Sequence, residues 1–180
     1  MKKSLFLILA LLISLGFSNL QSQNVSDLKT ANILTPEPGS VIEIYEYSYP
    51  NNTTDLNENQ QIELIKSKSG YVGFFHGISD EFDKAREGYL PGFFVLQMQN
   101  LKIEKESISF SLLPTPEDMF NKPIPLTYRT SIDAKSGGYQ KWTNSQIMRN
   151  KSPKLYSGII KGTSLIIKDS MGKEIEYKKK

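Results

Sequence analysis

The only histidine of the chain, His76, stands a few residues before Asp80 and Glu81. A histidine beside a carboxylate can shuttle protons near neutral pH, because its ordinary pKa falls there and the carboxylate can orient the ring. The acidic set continues through Asp83 and Glu87, and hard cations such as calcium take oxygen ligands of this kind. Rings crowd in on both sides of these charges, at Tyr71, Phe74, Phe75, Tyr89, Phe93 and Phe94. Concave binding sites are built this way, from apolar walls and a few convergent polar groups.

Three chemistries therefore compete for the stretch 70–100. A lone histidine on a strand face is ordinarily a hydrogen-bonded interior or rim residue, which weakens the acid–base reading. The spacing of the acids is not that of a calcium-binding helix–loop–helix, and a solvated helix face explains it more simply. The aromatic reading is the strongest. Tyr71, Phe75, Tyr89, Phe93 and the single tryptophan, Trp142, are expected to line a cavity or its mouth, with His76, Asp80 and Glu81 as its polar contacts. Phe74, Phe94 and Phe110 are expected in the core. No catalytic residue, metal site or cofactor is assigned. There is no Gly-x-Ser-x-Gly elbow, and the glycines at 70, 73 and 77 run through a strand where a phosphate loop would lead into a helix. The Ser-x-x-Lys tetrads at Ser26 and Ser170 are too short to carry weight. The chain has no cysteine, so disulfides, thiolate metal ligands and a thiol nucleophile are excluded. These readings favour a non-enzymatic protein.

The elements that must hold such a site follow a leader. Lys2 and Lys3, then an apolar run from Leu5 to Leu15, then small residues near Gly16, Ser18 and Ser22 have the form of a secretory signal peptide over residues 1–22. The run is short for a membrane span, which needs roughly 20 apolar residues. The expectation is an exported protein, periplasmic or extracellular, with a lead-in over 23–39 and a single domain over 40–180. Net charge is +3 from 22 basic and 19 acidic residues, and two of the basic ones lie in the leader. What remains is near neutral, with its positive excess in the terminal Lys178, Lys179 and Lys180. No basic face interleaved with aromatics is present to suit nucleic acid.

Alternation dominates the remainder. VIEIYEYSY places Tyr45, Tyr47 and Tyr49 on one face, QIELIKSK and GYVGFFH follow, and Ile108, Phe110 and Leu112 alternate with serines. Gly73 inside a strand marks a bend or a close approach. Ser79 predicts an N-cap for one short helix across 80–87, stopped by Gly88. The long run LPGFFVLQMQNLKI reads as strand, as does LTYRTSID, while the prolines of PTPEDMFNKPIP exclude a central strand. Short strands at near-even spacing, with no long crossover, predict an all-β fold. The expected form is an antiparallel up-and-down β-barrel of eight or nine strands, whose closure removes exposed edges.

The closing stretch Tyr156-Ser157-Gly158-Ile159-Ile160-Lys161-Gly162, with Leu165-Ile166-Ile167 and Gly172-Lys173-Glu174-Ile175-Glu176-Tyr177, resembles the last hairpins of bacterial lipocalin-like barrels. Gly70-Tyr71-Val72-Gly73 is similar to the glycine-aromatic strands of those domains. The resemblance implies a secreted barrel that binds a small hydrophobic or amphipathic molecule inside, its entrance framed by 78–91 and 137–153. The alternatives are a protein-interaction or inhibitor module using the acidic-aromatic segment 78–91, and an extracytoplasmic enzyme using His76.

Overall fold

Two-residue alternation sets the architecture, because each strand has one face that must leave water. The computed structural model describes residues 36–50, 57–83, 88–115, 118–141, 152–169 and 171–180. Ten strands form one antiparallel sheet: β1 (Val41–Pro50), β2 (Asn57–Ser67), β3 (Gly70–Asp83), β4 (Gly88–Gln97), β5 (Gln99–Glu104), β6 (Ser107–Leu112), β7 (Met119–Phe120), β8 (Lys154–Lys161), β9 (Ser164–Asp169) and β10 (Glu174–Lys179). Their hydrogen-bonded order is β5-β6-β8-β9-β10-β1-β2-β3-β4-β7. The all-β antiparallel expectation stands. The ladder ends on β5 and β7, and no pairing joins those two strands among the described residues, so the sheet is not seen as a closed ring.

The sheet is strongly curved. Phe75 of β3 and Tyr156 of β8 are five ladder steps apart, which would separate them by roughly 24 Å on a flat sheet. Their ring centroids are 6.5 Å apart. The concave face carries a single buried cluster drawn from nearly every strand, including Tyr45, Ile62, Leu64, Phe75, Phe94, Met98, Ile108, Phe110, Leu165, Ile167 and Tyr177. Gly73 and Gly77 permit this packing. A Cβ on Gly73 would meet Met98 Sδ at 2.5 Å, and one on Gly77 would meet Phe94 at 2.2 Å and Phe75 at 2.6 Å. Met98 separates β4 from β5, and its N–H donates to Gly73 O at 2.8 Å. The strand expected from LPGFFVLQMQNLKI is thus divided at Met98, which with the two-residue β7 brings the count to ten.

Two local expectations are corrected. Residues 80–83 are not helical: Asp80, Glu81, Phe82 and Asp83 pair with Pro91, Leu90, Tyr89 and Gly88 as the end of the β3–β4 hairpin. Ladder bonds running back to Phe74 outweigh the Ser79 cap. The short helix lies at Ser131–Ser136 (α1), where LTYRTSID reads as strand. Its N-cap is Thr130, whose Oγ1 accepts from Asp133 N–H at 3.1 Å. Gly137 N–H then closes on Asp133 O at 2.8 Å. A side-chain cap and an Arg129 ion pair together override the alternation of Leu126, Tyr128, Thr130 and Ile132. The lead-in before residue 36 and Trp142 lie outside the described residues.

Residues 119–141 form a strap over the convex face of β2–β4. Phe120 bridges Lys141, and Asn121 N–H donates to Gln140 O at 3.2 Å, which ties the strap at its base. Beneath it Val95, Phe120, Ile124 and Ala134 make a second, smaller core, edged by Tyr128 and Tyr139.

Candidate functional site

The concave face is packed at one end and hollow at the other. Around Ile62, Leu64, Met98, Ile108 and Leu165 it is filled, each residue at most 5% exposed. This end is edged by a polar network in which Tyr45 hydroxyl donates to Glu43 Oε2 at 3.2 Å and Lys179 pairs with Glu43. Burial first, and the Glu43 carboxylate second, push the Tyr45 hydroxyl up to about 12. Towards the other end lies a cavity of about 250 Å³. It is lined by Phe75, Phe94, Leu112, Tyr156, Ile167, Ile175 and Tyr177, with Gln60, Ile78, Pro114, Lys154, Met171 and Lys173 completing it.

Each of these side chains is placed by strand parity. Gly77 opposes Phe94 and Phe75 opposes Leu96, so Phe75 and Phe94 share the concave face. Phe110 opposes Tyr156, which puts Tyr156 and, two residues earlier, Lys154 on that face as well. Leu165 opposes Tyr177, and Ile175 and Lys173 follow at the same parity. The rings form a stacked row, with centroid separations of 5.9 Å for Phe94–Phe75, 6.5 Å for Phe75–Tyr156 and 5.1 Å for Tyr156–Phe110, all within 25° of parallel. Inside, Tyr177 hydroxyl donates to Gln60 Oε1 at 2.9 Å. Burial, reinforced by the neighbouring Tyr156, raises the Tyr177 pKa, so the group remains a neutral hydroxyl at physiological pH.

The residues expected at a site from the sequence divide between the two faces. Phe75 lines the cavity. Tyr71 shares its parity but stands four residues nearer the other end of β3, with Lys66 Nζ 5.7 Å from its ring centroid, and is not in the lining. Phe93 has the parity of the buried Val95, on the convex side, and opposes Phe120 of β7. Asp80, Glu81 and Tyr89 have their backbones in the outer half of the β3–β4 hairpin. Gln60, Tyr156, Ile175 and Tyr177 were not singled out by the sequence. Their alternation in the C-terminal hairpins is visible there, but alternation marks two faces without saying which one is enclosed.

His76 is on the convex face, 6% exposed and opposite Val95. Its Nδ1 lies 3.2 Å from Ile124 O in the strap. A carbonyl only accepts, so Nδ1 carries the proton and Nε2 is the bare nitrogen. That Nε2 is buried with no hydrogen-bond partner among the described residues. Burial lowers the pKa to about 4, opposed by the Ile124 hydrogen bond and the nearby Glu63 and assisted by Arg129. The ring is therefore neutral at pH 7 and sealed under the strap, where it fixes structure. Next to it Arg129 of the strap grips the buried Glu63 of β2 with two parallel bonds, Nε to Oε2 at 2.8 Å and Nη2 to Oε1 at 2.9 Å. Among the described residues no three His, Asp or Glu side chains gather as for a metal ion.

Comparison of the chain with protein-family models, with curated proteins and with solved structures finds no match in any of the three.

Proposed function

We propose that this is an exported, non-enzymatic binding protein whose sheet curls shut as an up-and-down barrel around a small hydrophobic or amphipathic ligand. The observation that carries the reading is the hollow half of the concave face: about 250 Å³ walled by stacked rings, with one hydrogen-bonded polar pair, Gln60 and Tyr177, inside. Apolar walls with sparse polar groups are the general composition of small-molecule sites. The route of the chain supports closure. Across the single residue Met98, β4 pairs with β3 on one side and β5 pairs with β6 on the other, so one bent strand contributes a ladder to each end of the meander. A circuit closed through such a turn is the arrangement by which barrels remove sheet edges.

Ligand-observed NMR with a panel of single-ring aromatics and medium-chain alcohols and acids tests the function. Saturable binding of at least one member is expected, weakened by Ile175→Phe, which fills the cavity from a half-buried position. Binding by no member, or binding indifferent to Ile175→Phe, refutes it. Export rests on the leader 1–22. N-terminal sequencing of the protein recovered from outside the cytoplasm should begin near residues 18–23, and recovery of only full-length cytoplasmic chain refutes it.

A further inference from the structure

The size and polarity of the cavity narrow the ligand class, an inference that rests on the binding reading above. We infer that the cavity takes a compact monoanionic amphiphile, a body of about one aromatic ring carrying a single carboxylate, with Lys154 at the mouth receiving the charge.

Volume sets the body. An engineered apolar cavity of about 150 Å³ holds benzene, while sites for drug-sized ligands begin at about 300 Å³. The cavity here, at about 250 Å³, falls between them. At about 30 Å³ per water it has room for roughly eight waters, or a ligand on the order of ten non-hydrogen atoms. The rings of Phe94, Phe75 and Tyr156 stack with their planes within 25° of parallel, which favours a flat ring that continues the row by offset stacking.

Charge sets the head. Lys154 and Lys173 are both in the lining, Lys173 already has an interaction of its own, and none of the side chains described in the lining is acidic. Four other lysines of the C-terminal hairpins are already paired: Lys168 with Glu174, Lys178 with Glu176, Lys179 with Glu43 and Lys180 with Glu46. Lys154 has no ion-pair partner among the described residues. It stands at the start of β8, two residues from Tyr156 on the concave face, so its ammonium is within a side chain's length of a head group whose body lies against that ring. Deeper in, the Gln60–Tyr177 pair is neutral and cannot replace it as a counter-charge.

The test uses three near-isosteric probes, 3-phenylpropionate, 3-phenylpropanol and 3-phenylpropylamine, titrated calorimetrically at low salt. The acid should bind about tenfold more tightly than the alcohol, the increment of one charge-assisted hydrogen bond, and the amine most weakly. Added salt should erode the preference for the acid and leave the alcohol unchanged. Lys154→Glu, at an exposed position, should abolish the preference while the alcohol still binds. Equal binding of acid and alcohol, or an acid affinity untouched by Lys154→Glu, overturns the anion assignment and leaves the binding reading standing. Tight binding of ligands much larger than one ring overturns the size assignment. If none of the three binds while another panel member does, the whole inference falls; if nothing binds at all, the binding reading falls with it.

Discussion

His76 should make this protein acid-labile in a window set by one proton. In the fold the imidazole is neutral: Nδ1–H is held by Ile124 O, and Nε2 faces a buried space with no acceptor for a second proton. Burial lowers its pKa from 6.5 to about 4, while the unfolded chain retains an ordinary value. As pH falls, the unfolded state therefore takes up its proton first. The contribution is complete above 6.5, is lost progressively as pH falls from there to about 4, and changes no further below that. At about 1.4 kcal/mol per pH unit the loss is about 3 kcal/mol, a large share of the 5–15 kcal/mol that ordinarily holds a domain together.

The assay compares the wild type with His76→Asn, which can still donate to Ile124 O but cannot be protonated. Urea midpoints measured from neutral pH down to about 4 include the titration of every carboxylate, yet those terms are common to both proteins and cancel in the difference. At neutral pH the variant should be less stable by a fixed amount, and that gap should shrink by about 3 kcal/mol across the window. Because there is only one histidine, its imidazole resonances are unambiguous, and they should not titrate in the folded protein above about pH 5. A gap that is constant with pH, or a folded-state titration near 6.5, refutes the sealed position under the strap.

Arg129→Met should destabilise by about 3 kcal/mol in chemical denaturation, because it strands the buried Glu63 carboxylate; adding Glu63→Leu should recover part of the loss, and a double variant no better than the single would refute that account. Gly77→Ala pushes a methyl group against Phe94 and Phe75, so it should cost about 1–3 kcal/mol and lower ligand affinity by displacing those rings into the cavity. Wild-type melting and binding in that variant would refute the packing described for the concave face.

Much of the fold is legible because it rests on local rules. Alternation in VIEIYEYSYP and SISFSL gives antiparallel strands, and Gly73 signals the close approach made by Met98. The prolines around Met119–Phe120 confine that segment to a two-residue strand at the edge. Local signals fail where two of them compete. Ser79 with its acids mimics a helix start, but the residues are claimed by a long hairpin. Thr130 looks like one more alternating position, but it caps α1.

Taken alone, the order of residues determines that the chain must form β-strands, that no thiol chemistry is open to it, and that aromatic bulk must be buried near β3. It does not determine what that bulk encloses. A strand's two faces are equivalent in sequence until a neighbour covers one of them, and here both are covered: the concave face by the curl of the sheet, the convex face of β2–β4 by the strap. Alternation puts the adjacent Phe75 and His76 on opposite faces, and tertiary structure alone decides that those faces end in different cores. It also brings Tyr156 and Tyr177, some eighty to a hundred residues downstream, into one cavity lining with Phe75. Curvature of the sheet is the physical cause, since it is a sum of small twists over many strands and has no signature at any single residue.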